Sequence, residues 1–318
     1  MRDTLTATPA RTQVPIRHLT GPRALDRDLI EYLLARAAAF EQGMAMEAAP
    51  LSGRLLATVF YEPSTRTRFS FEAAMHRLGG QVLSAENATG ASSAAKGESL
   101  EDAIRVIAGY ADAIVLRHPE VGAAERAARV APVPVINAGD GPGDHPTQGL
   151  LDLYTIKKEL GRLDHLRVGL AGDLRNGRTV RSLALLLSRF PGNELVLISP
   201  PALRLGADVI TALKEAQQGM RETTDLDSAI ADLDVLYQTR IQAERFESSE
   251  EYEQHRGVYV VNPELMHRLP ARAILMHPLP RLEEIDPQVD ADPRAAYFRQ
   301  ARNGLWVRMA VLDWALGR

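Results

Sequence analysis

The sequence predicts an α/β protein built from two doubly wound parallel-sheet domains joined by a long helix, and three observations carry that prediction. Its 318 residues exceed what one core usually organises and fit two domains of about 150 residues each. Short apolar runs alternate with helical periodicities from residue 55 onward, the pattern of a parallel sheet covered on both faces. Polar and charged residues cluster where the predicted strands end, which is where open parallel sheets bind ligands. The expected division is residues 1–150, residues 151–295 and a closing helix over 296–318.

Composition narrows the classes. With 45% apolar and 25% charged residues the chain reads as an ordinary globular protein. No apolar run reaches the roughly 18 residues needed to span a bilayer, and the N-terminus lacks the basic-then-apolar plan of a signal peptide. A cytoplasmic protein without membrane contact is therefore expected. The absence of cysteine excludes disulfides, thiolate metal sites and cysteine nucleophiles. A net charge of −4, from 37 basic and 41 acidic residues, leaves no global field to draw nucleic acid.

Residues 1–16 are polar, carry Pro9 and Pro15 and show no period, so they read as a tail or contact arm. Ile30, Leu33, Leu34 and Ala37 mark a helix over Leu25–Gln42, which Gly43 stops. Leu55–Phe60 is a buried strand, and Phe71, Ala74, Met75 and Leu78 recur at the spacing of an amphipathic helix. Between them, Pro63-Ser64-Thr65-Arg66-Thr67-Arg68 sets hydroxyls, guanidiniums and free backbone N–H groups at a helix start. A cap needs only one hydroxyl, so this turn reads as an anion site, most naturally for phosphate. The glycine-rich phosphate loops are absent.

A strand at Gln81–Ser84 leads into a small, polar run over residues 87–97 that includes Ser92 and Lys96. Ser99 with Asp102 resembles a capping box for the next helix. Asp112–Leu116 is a strand ending at Arg117-His118-Pro119. A helix near 122–130 and a strand at Val133–Asn137 follow, and the loop Ala138–Gln148, with His145, opens the long helix Leu150–Leu160.

The second unit begins with the strand Leu166–Ala171. Gly169 and Gly172 imitate part of a dinucleotide fingerprint, but no third glycine is in place and the next strand, Glu194–Ile198, ends at Ser199-Pro200 where a ribose-binding acid belongs. No cofactor is expected. Helices over Ala202–Gln217 and near Asp225–Ala231 precede the strand Val235–Thr239, which ends at Arg240 and Gln242. Glu244–Gln254 is charged and reads as a solvated loop or helix. Ala273–Met276 is a short strand ending at His277-Pro278-Leu279-Pro280-Arg281. The segment Ala295–Leu316 reads as a helix, or two helices around a break at Asn303-Gly304.

Gathered at one edge, Ser64, Thr65, Arg66, Thr67 and Arg68, Arg117, His145 with Gln148, Arg178, Arg240 with Gln242, and the segment His277–Arg281 suit a ligand set with several negative charges. No metal-ligand spacing and no nucleophile–base order accompanies them, so the chemistry expected is positioning and electrostatics.

The segments Ser64–Arg68, Arg117–Pro119, His145–Gln148 and His277–Arg281 resemble the signatures of the carbamoyltransferases. Gly172–Leu174, Gly177–Thr179 and Thr239–Gln242 narrow the resemblance to catalytic chains that act on aspartate. It runs in the same order from about Gly53 to Arg308. Ornithine-specific relatives usually carry a cysteine in place of Pro278 and a Ser-Met-Gly segment in the second domain, and neither is present here.

The resemblance implies transfer of a carbamoyl group from carbamoyl phosphate to L-aspartate, an early step of pyrimidine synthesis, with the last helix returning to the first domain. It implies that Ser64, Thr65, Arg66, Thr67 and Arg117 hold phosphate. His145, Thr67 and Arg117 would polarise the carbamoyl oxygen, while Gln148 and the carbonyls of Pro278 and Leu279 hold its amide. Arg178, Arg240 and Gln242 would receive the carboxylates of aspartate. It further implies a homotrimer in which Ser92 and Lys96 complete the neighbouring subunit's site, and admits a regulatory chain or dihydroorotase as partner. Arg181, where many relatives carry histidine, and Arg175-Asn176, where regulated members carry Lys-Tyr, depart from the pattern and leave such a regulatory chain open.

Overall fold

The computed structural model describes residues 15–44, 49–86, 97–241, 246 and 248–317. Sequence expectations for the N-terminal tail through residue 14, for Ser92 and Lys96, and for Gln242 lie outside the described residues.

Helix α1 (Arg27–Glu41) starts where Asp26 accepts the Leu29 N–H at 2.8 Å, an N-cap that satisfies one of the orphan donors of the first turn. The first sheet holds β1 (Leu55–Phe60), β2 (Gln81–Glu86), β3 (Ala113–His118) and β4 (Val135–Asp140), all parallel, in the order β2-β1-β3-β4. Helices α2 (Thr65–Arg77), α3 (Leu100–Ala108) and α4 (Ala123–Val130) cross between these strands. Ser99 caps α3 by accepting the Asp102 N–H, as its spacing predicts. Strands β1, β3 and β4 are buried on both faces, which is why they read as apolar runs rather than alternations.

Helix α5 (Pro146–Leu160) leaves the first sheet and is buried over its first eleven residues. The second sheet holds β5 (Arg167–Ala171), β6 (Glu194–Ile198), β7 (Gly219–Thr223), β8 (Val235–Gln238) and β9 (Ile274–Met276), parallel in the order β7-β6-β5-β8-β9. Its helices are α6 (Arg178–Leu187), α7 (Ala207–Glu215) and the shorter α8 (Leu226–Ala229), α9 (Ser249–Glu253) and α10 (Pro263–Arg268). The final helix, α11 (Tyr297–Leu316), packs on α1, α2 and α5, so the chain ends against its first half. One apolar cluster runs through both units, from Leu33 and Phe71 through Leu150 and Leu153 to Leu183 and Met276.

Besides shifts of a few residues at strand ends, three expectations change. Edge strand β7 was not expected: its sequence, Gly-Met-Arg-Glu-Thr, is short and exposed, so it shows no buried run. The anticipated break at Asn303-Gly304 does not occur. Helix α11 is continuous there because Asn303 donates to Thr155 Oγ1 at 2.9 Å, and the missing side chain of Gly304 leaves room for α5 and Arg308. A Cβ on Gly304 would stand 2.4 Å from Arg308 Nη1 and 3.2 Å from Leu151 Cδ2. Helix α5 starts at Pro146 rather than Leu150, which puts His145 at its N-cap position and Gln148 in its first turn.

Gly172 owes its identity to backbone geometry. Its φ of +112° is a conformation L side chains avoid, and an added Cβ would meet the Thr239 carbonyl oxygen at 2.3 Å. Replacing it also threatens the Thr239 N–H to Ala171 carbonyl bond of 2.8 Å, which ties the end of β8 to β5. Gly172→Ala is expected to destabilise the fold by about 3 kcal/mol. Urea titration of both proteins checks this, and an unchanged midpoint would remove the close approach as the reason for glycine.

Candidate active site

The carboxyl ends of both sheets face one cleft of ≈ 990 Å³ between the two units. Its walls include Ser64, Thr65, Arg66 and Thr67 from the start of α2, Arg117 from β3, and His145 and Gln148 from the start of α5. Arg178 comes from the first residue of α6, Arg240 from the loop after β8, and Pro278 and Leu279 from the loop after β9. Every sequence-predicted site residue that the structure describes therefore lies on this single cavity. Among the described residues six arginines, the others being Arg302 and Arg308, face it together with one acid, Glu62. Although the chain is net acidic, the local field in the cleft is strongly positive.

Ser64 is the N-cap residue of α2, yet its side chain makes no capping bond. The hydroxyl is therefore not consumed by the helix, which removes the plain capping role as an explanation of this turn. The first-turn N–H groups of α2 and the helix dipole, about half a unit charge, point the same way. Arg66 is exposed, partial burial draws its pKa below the ordinary guanidinium value, and the group stays cationic. Arg68 does not join the cleft. It pairs with Glu86 at 2.9 Å and donates to Ser84 Oγ at 3.0 Å, fastening α2 to edge strand β2.

Strand β3 runs two residues further than expected, so Arg117 lies within it and is held by sheet register rather than by a loop. Its Nη1 donates to the Ala138 carbonyl at 3.3 Å. Arg178 Nη1 donates to the Gly141 carbonyl at 2.9 Å. Glu62 sits between these two arginines, 3.5 Å from Arg117 and 3.6 Å from Arg178, and so partly offsets their mutual repulsion. Arginine signals mark an anion site, so a single acid just before it gives no signal of its own in the sequence.

His145 is only 4% exposed, and its backbone N–H donates to Ser182 Oγ at 2.9 Å. Burial pushes its pKa well below the ordinary histidine value, and Arg178, Arg308 and Arg117 push the same way. The ring is neutral at physiological pH and can donate one N–H without carrying charge. In the second unit, His277 is buried and its Nδ1 accepts the Leu279 N–H at 2.8 Å. The ring proton is then on Nε2, which donates to Glu284 at 2.8 Å. This pair holds the 278–280 loop against the cleft, with Leu279 in the left-handed region at φ +56°.

Beneath the cleft lies a buried polar group that sequence reading passed over. Asp152, fully buried on α5, accepts from Gln148, Gln300 and Tyr237, and Arg308 is the nearby cation. Burial raises its pKa to about 7 against those donors. Arg308 itself is 3% exposed, stacks over Phe71 at 5.1 Å, and is drawn down to about 10 by burial. No group of histidines and acids able to hold a metal ion occurs among the described residues.

A helix-start anion cradle facing further arginines across a two-unit cleft defines a class of enzyme that brings a phosphate ligand to a second anion. The family model for the aspartate/ornithine carbamoyltransferase carbamoyl-P binding domain matches residues 17–158, and that for the Asp/Orn binding domain matches residues 164–315. The chain belongs to the aspartate/ornithine carbamoyltransferase family.

Within it, the similarity runs to aspartate enzymes. An aspartate carbamoyltransferase catalytic subunit from Haloquadratum walsbyi is 51% identical over 95% of this chain and 98% of its own. The crystal form of the M. jannaschii aspartate transcarbamoylase catalytic subunit superposes with a TM-score of 0.87, at 48% identity over 95% of this chain and 98% of that one. The Trypanosoma cruzi aspartate transcarbamoylase in complex with carbamoyl phosphate and aspartate superposes at 0.88, with 40% identity over 94% and 96% of the two chains.

Proposed function

We propose that the chain transfers the carbamoyl group of carbamoyl phosphate to the amine of L-aspartate, giving N-carbamoyl-L-aspartate and phosphate. One observation carries this reading: arginines from both units line a single cleft with only one acid among the described residues, and the phosphate-type cradle lies on the first unit. The relatives named aspartate carbamoyltransferase support the same substrates.

In this reading Ser64, Thr65, Arg66, Thr67 and Arg117 hold phosphate, and Arg178, Arg240 and Gln242 take the two carboxylates. Bidentate guanidinium contacts suit both anions. The aspartate nitrogen attacks the carbonyl carbon, the N–C bond forms, and negative charge grows on the carbonyl oxygen. Neutral His145, Thr67 and Arg117 donate to that oxygen more strongly as it becomes anionic, which lowers the barrier. The C–O bond to phosphate then breaks, and the departing phosphate accepts the proton that the amine loses. The amide hydrogens of the carbamoyl group are donors, and Gln148 with the Pro278 and Leu279 carbonyls supply acceptors for them.

The test is turnover of labelled carbamoyl phosphate with aspartate, ornithine and putrescine in parallel. Aspartate alone should react, because a cationic acceptor meets like charge at Arg178 and Arg240. Turnover with ornithine only would refute the assignment, and none with any amine would favour a non-catalytic phosphate-binding role.

The finer reading is a cytoplasmic homotrimer with shared sites, in which Ser92 and Lys96 of one subunit reach the neighbour's cleft. The trimer and its shared sites rest on the family membership and on the course of the chain, since that segment follows the carboxyl end of edge strand β2 (Gln81–Glu86), parallel to the strands whose ends face the cleft. Mixing inactive Lys96→Ala chains with inactive Arg178→Ala chains should then restore a measurable fraction of activity, since some sites would draw both intact residues. Mixed trimers that form yet stay inactive would count against sharing.

A further inference from the structure

Gln148 and the loop of Pro278 and Leu279 come from different units of the fold, yet both are tied to the same buried atom. Asp152 Oδ1 accepts from Gln148 Nε2 at 2.9 Å and from Gln300 Nε2 at 2.7 Å. At its other end, Gln300 Oε1 accepts the backbone N–H of His277 at 2.9 Å, one residue before Pro278. Tyr237 of β8 donates to Asp152 Oδ2 at 2.9 Å. Asp152 is 0% exposed, Gln300 1% and His277 1%, so no water competes with these bonds.

We propose that Asp152 is a positioning residue for carbamoyl phosphate, fixing through one oxygen which way the Gln148 and Gln300 amides face and thereby presenting only acceptors to the carbamoyl NH₂. The inference rests on the functional reading above and goes beyond it by naming what sets the acceptor array.

The chemistry follows from what each group can do. A glutamine amide has a donor end and an acceptor end of nearly equal shape, and packing alone does not choose between them. With the Nε2 end turned inward, one N–H going to Asp152 and the same amide hydrogen-bonding Tyr237, the end of Gln148 left for a ligand in the cleft is Oε1. A carbamoyl NH₂ brings two donors, so a flipped Gln148 would set donor against donor. The second amide is locked in the same way: Gln300 donates to Asp152 and accepts from His277, so it ties the start of the 278–279 loop to α5. Protonation does not upset this, because a proton on Oδ2 leaves Oδ1 accepting both amides. The charged and titratable groups around Asp152 are Tyr237 from β8 and Arg308 from α11, neither of which bonds Oδ1.

The experiment compares direct calorimetric binding of carbamoyl phosphate, and steady-state kinetics, in wild type, Asp152→Leu and Asp152→Asn. Asparagine keeps an oxygen for both amides; leucine keeps the size and loses it. Asp152→Leu is expected to weaken carbamoyl phosphate binding and lower kcat/KM for it about 100-fold, the usual consequence of a small misplacement near reacting groups. The KM for aspartate at saturating carbamoyl phosphate should move less than about two-fold, whereas a generally loosened fold would raise both. Asp152→Asn should recover at least ten-fold of the loss.

In a Gln148→Ala background, the further loss from Asp152→Leu should shrink to about ten-fold, because the two act through one contact. Should Asp152→Leu fail to fold, Gln300→Met tests the same relay, with an expected ten-fold loss confined to carbamoyl phosphate. Folded Asp152→Leu or Gln300→Met with wild-type affinity overturns the proposal, as does a full loss in Asp152→Asn. Wild-type chain that binds carbamoyl phosphate without turning over aspartate faults the functional reading alone, and the binding comparison still decides this one.

Discussion

Arg66→Ala is expected to lower kcat about a thousand-fold while the melting temperature moves by less than about 2 °C. Arg66 is exposed, stands in the first turn of α2 and forms no ion pair with any described acid, so the fold does not depend on its charge. What it loses as alanine is a charge-assisted contact to phosphate, and negative charge on that group rises as the C–O bond breaks. Contacts that strengthen along the reaction act on kcat more than on KM. Rate and thermal melt measured on the same preparation check the claim. A variant with wild-type rate refutes the phosphate cradle, and one that unfolds moves Arg66 from chemistry to structure.

The second large effect concerns His145. His145→Ala should reduce kcat by about 10²–10³-fold, the usual cost of removing one preorganised donor from a developing oxyanion. The sign of its titration follows from its surroundings. Burial and three neighbouring guanidiniums hold the folded pKa well below the ordinary value of 6.5, so the ring stays neutral as pH falls through 6.5. In the unfolded chain it would gain a proton there. Protonation thus favours unfolding, and the stability contribution of neutral His145 is complete above pH 6.5 and declines below it, towards the depressed folded pKa. Nuclear magnetic resonance of the His145 ring between pH 8 and 6 should show neutral shifts throughout. A ring that titrates near 6.5 would place water or an acid beside it that the fold does not show.

Much of the site could be read from sequence because its parts are local. Strand, hydroxyl-rich turn and helix follow one another within Leu55–Arg77, and period and charge reveal them without tertiary knowledge. Arg117, His145, Arg178 and Arg240 were visible for the same reason, each at or near a strand end or helix start. The supporting residues were not. Asp152 and Gln300 are 148 positions apart, and each sits among other polar residues of a mixed helix, where a solvated face is the simpler reading. Glu62 carries the wrong sign for an anion site, and its use becomes plain only once Arg117 and Arg178 converge on it. Asn303-Gly304 looked like a helix break because propensity counts the missing side chain as a loss, while the close packing of Leu151 and Arg308 there favours a residue without one. Arg68 stands in the same turn with the same charge as Arg66, and charge alone does not reveal that it holds a strand edge and lies off the cleft.

The most direct test is a crystal structure of the chain grown with carbamoyl phosphate. Density for the phosphate within hydrogen-bond reach, about 3 Å, of Ser64, Thr65, Arg66 and Thr67 at the start of α2, with the carbamoyl oxygen turned to His145 and its NH₂ to Gln148, is the predicted result. Phosphate bound elsewhere, or an NH₂ group facing His145, would contradict it.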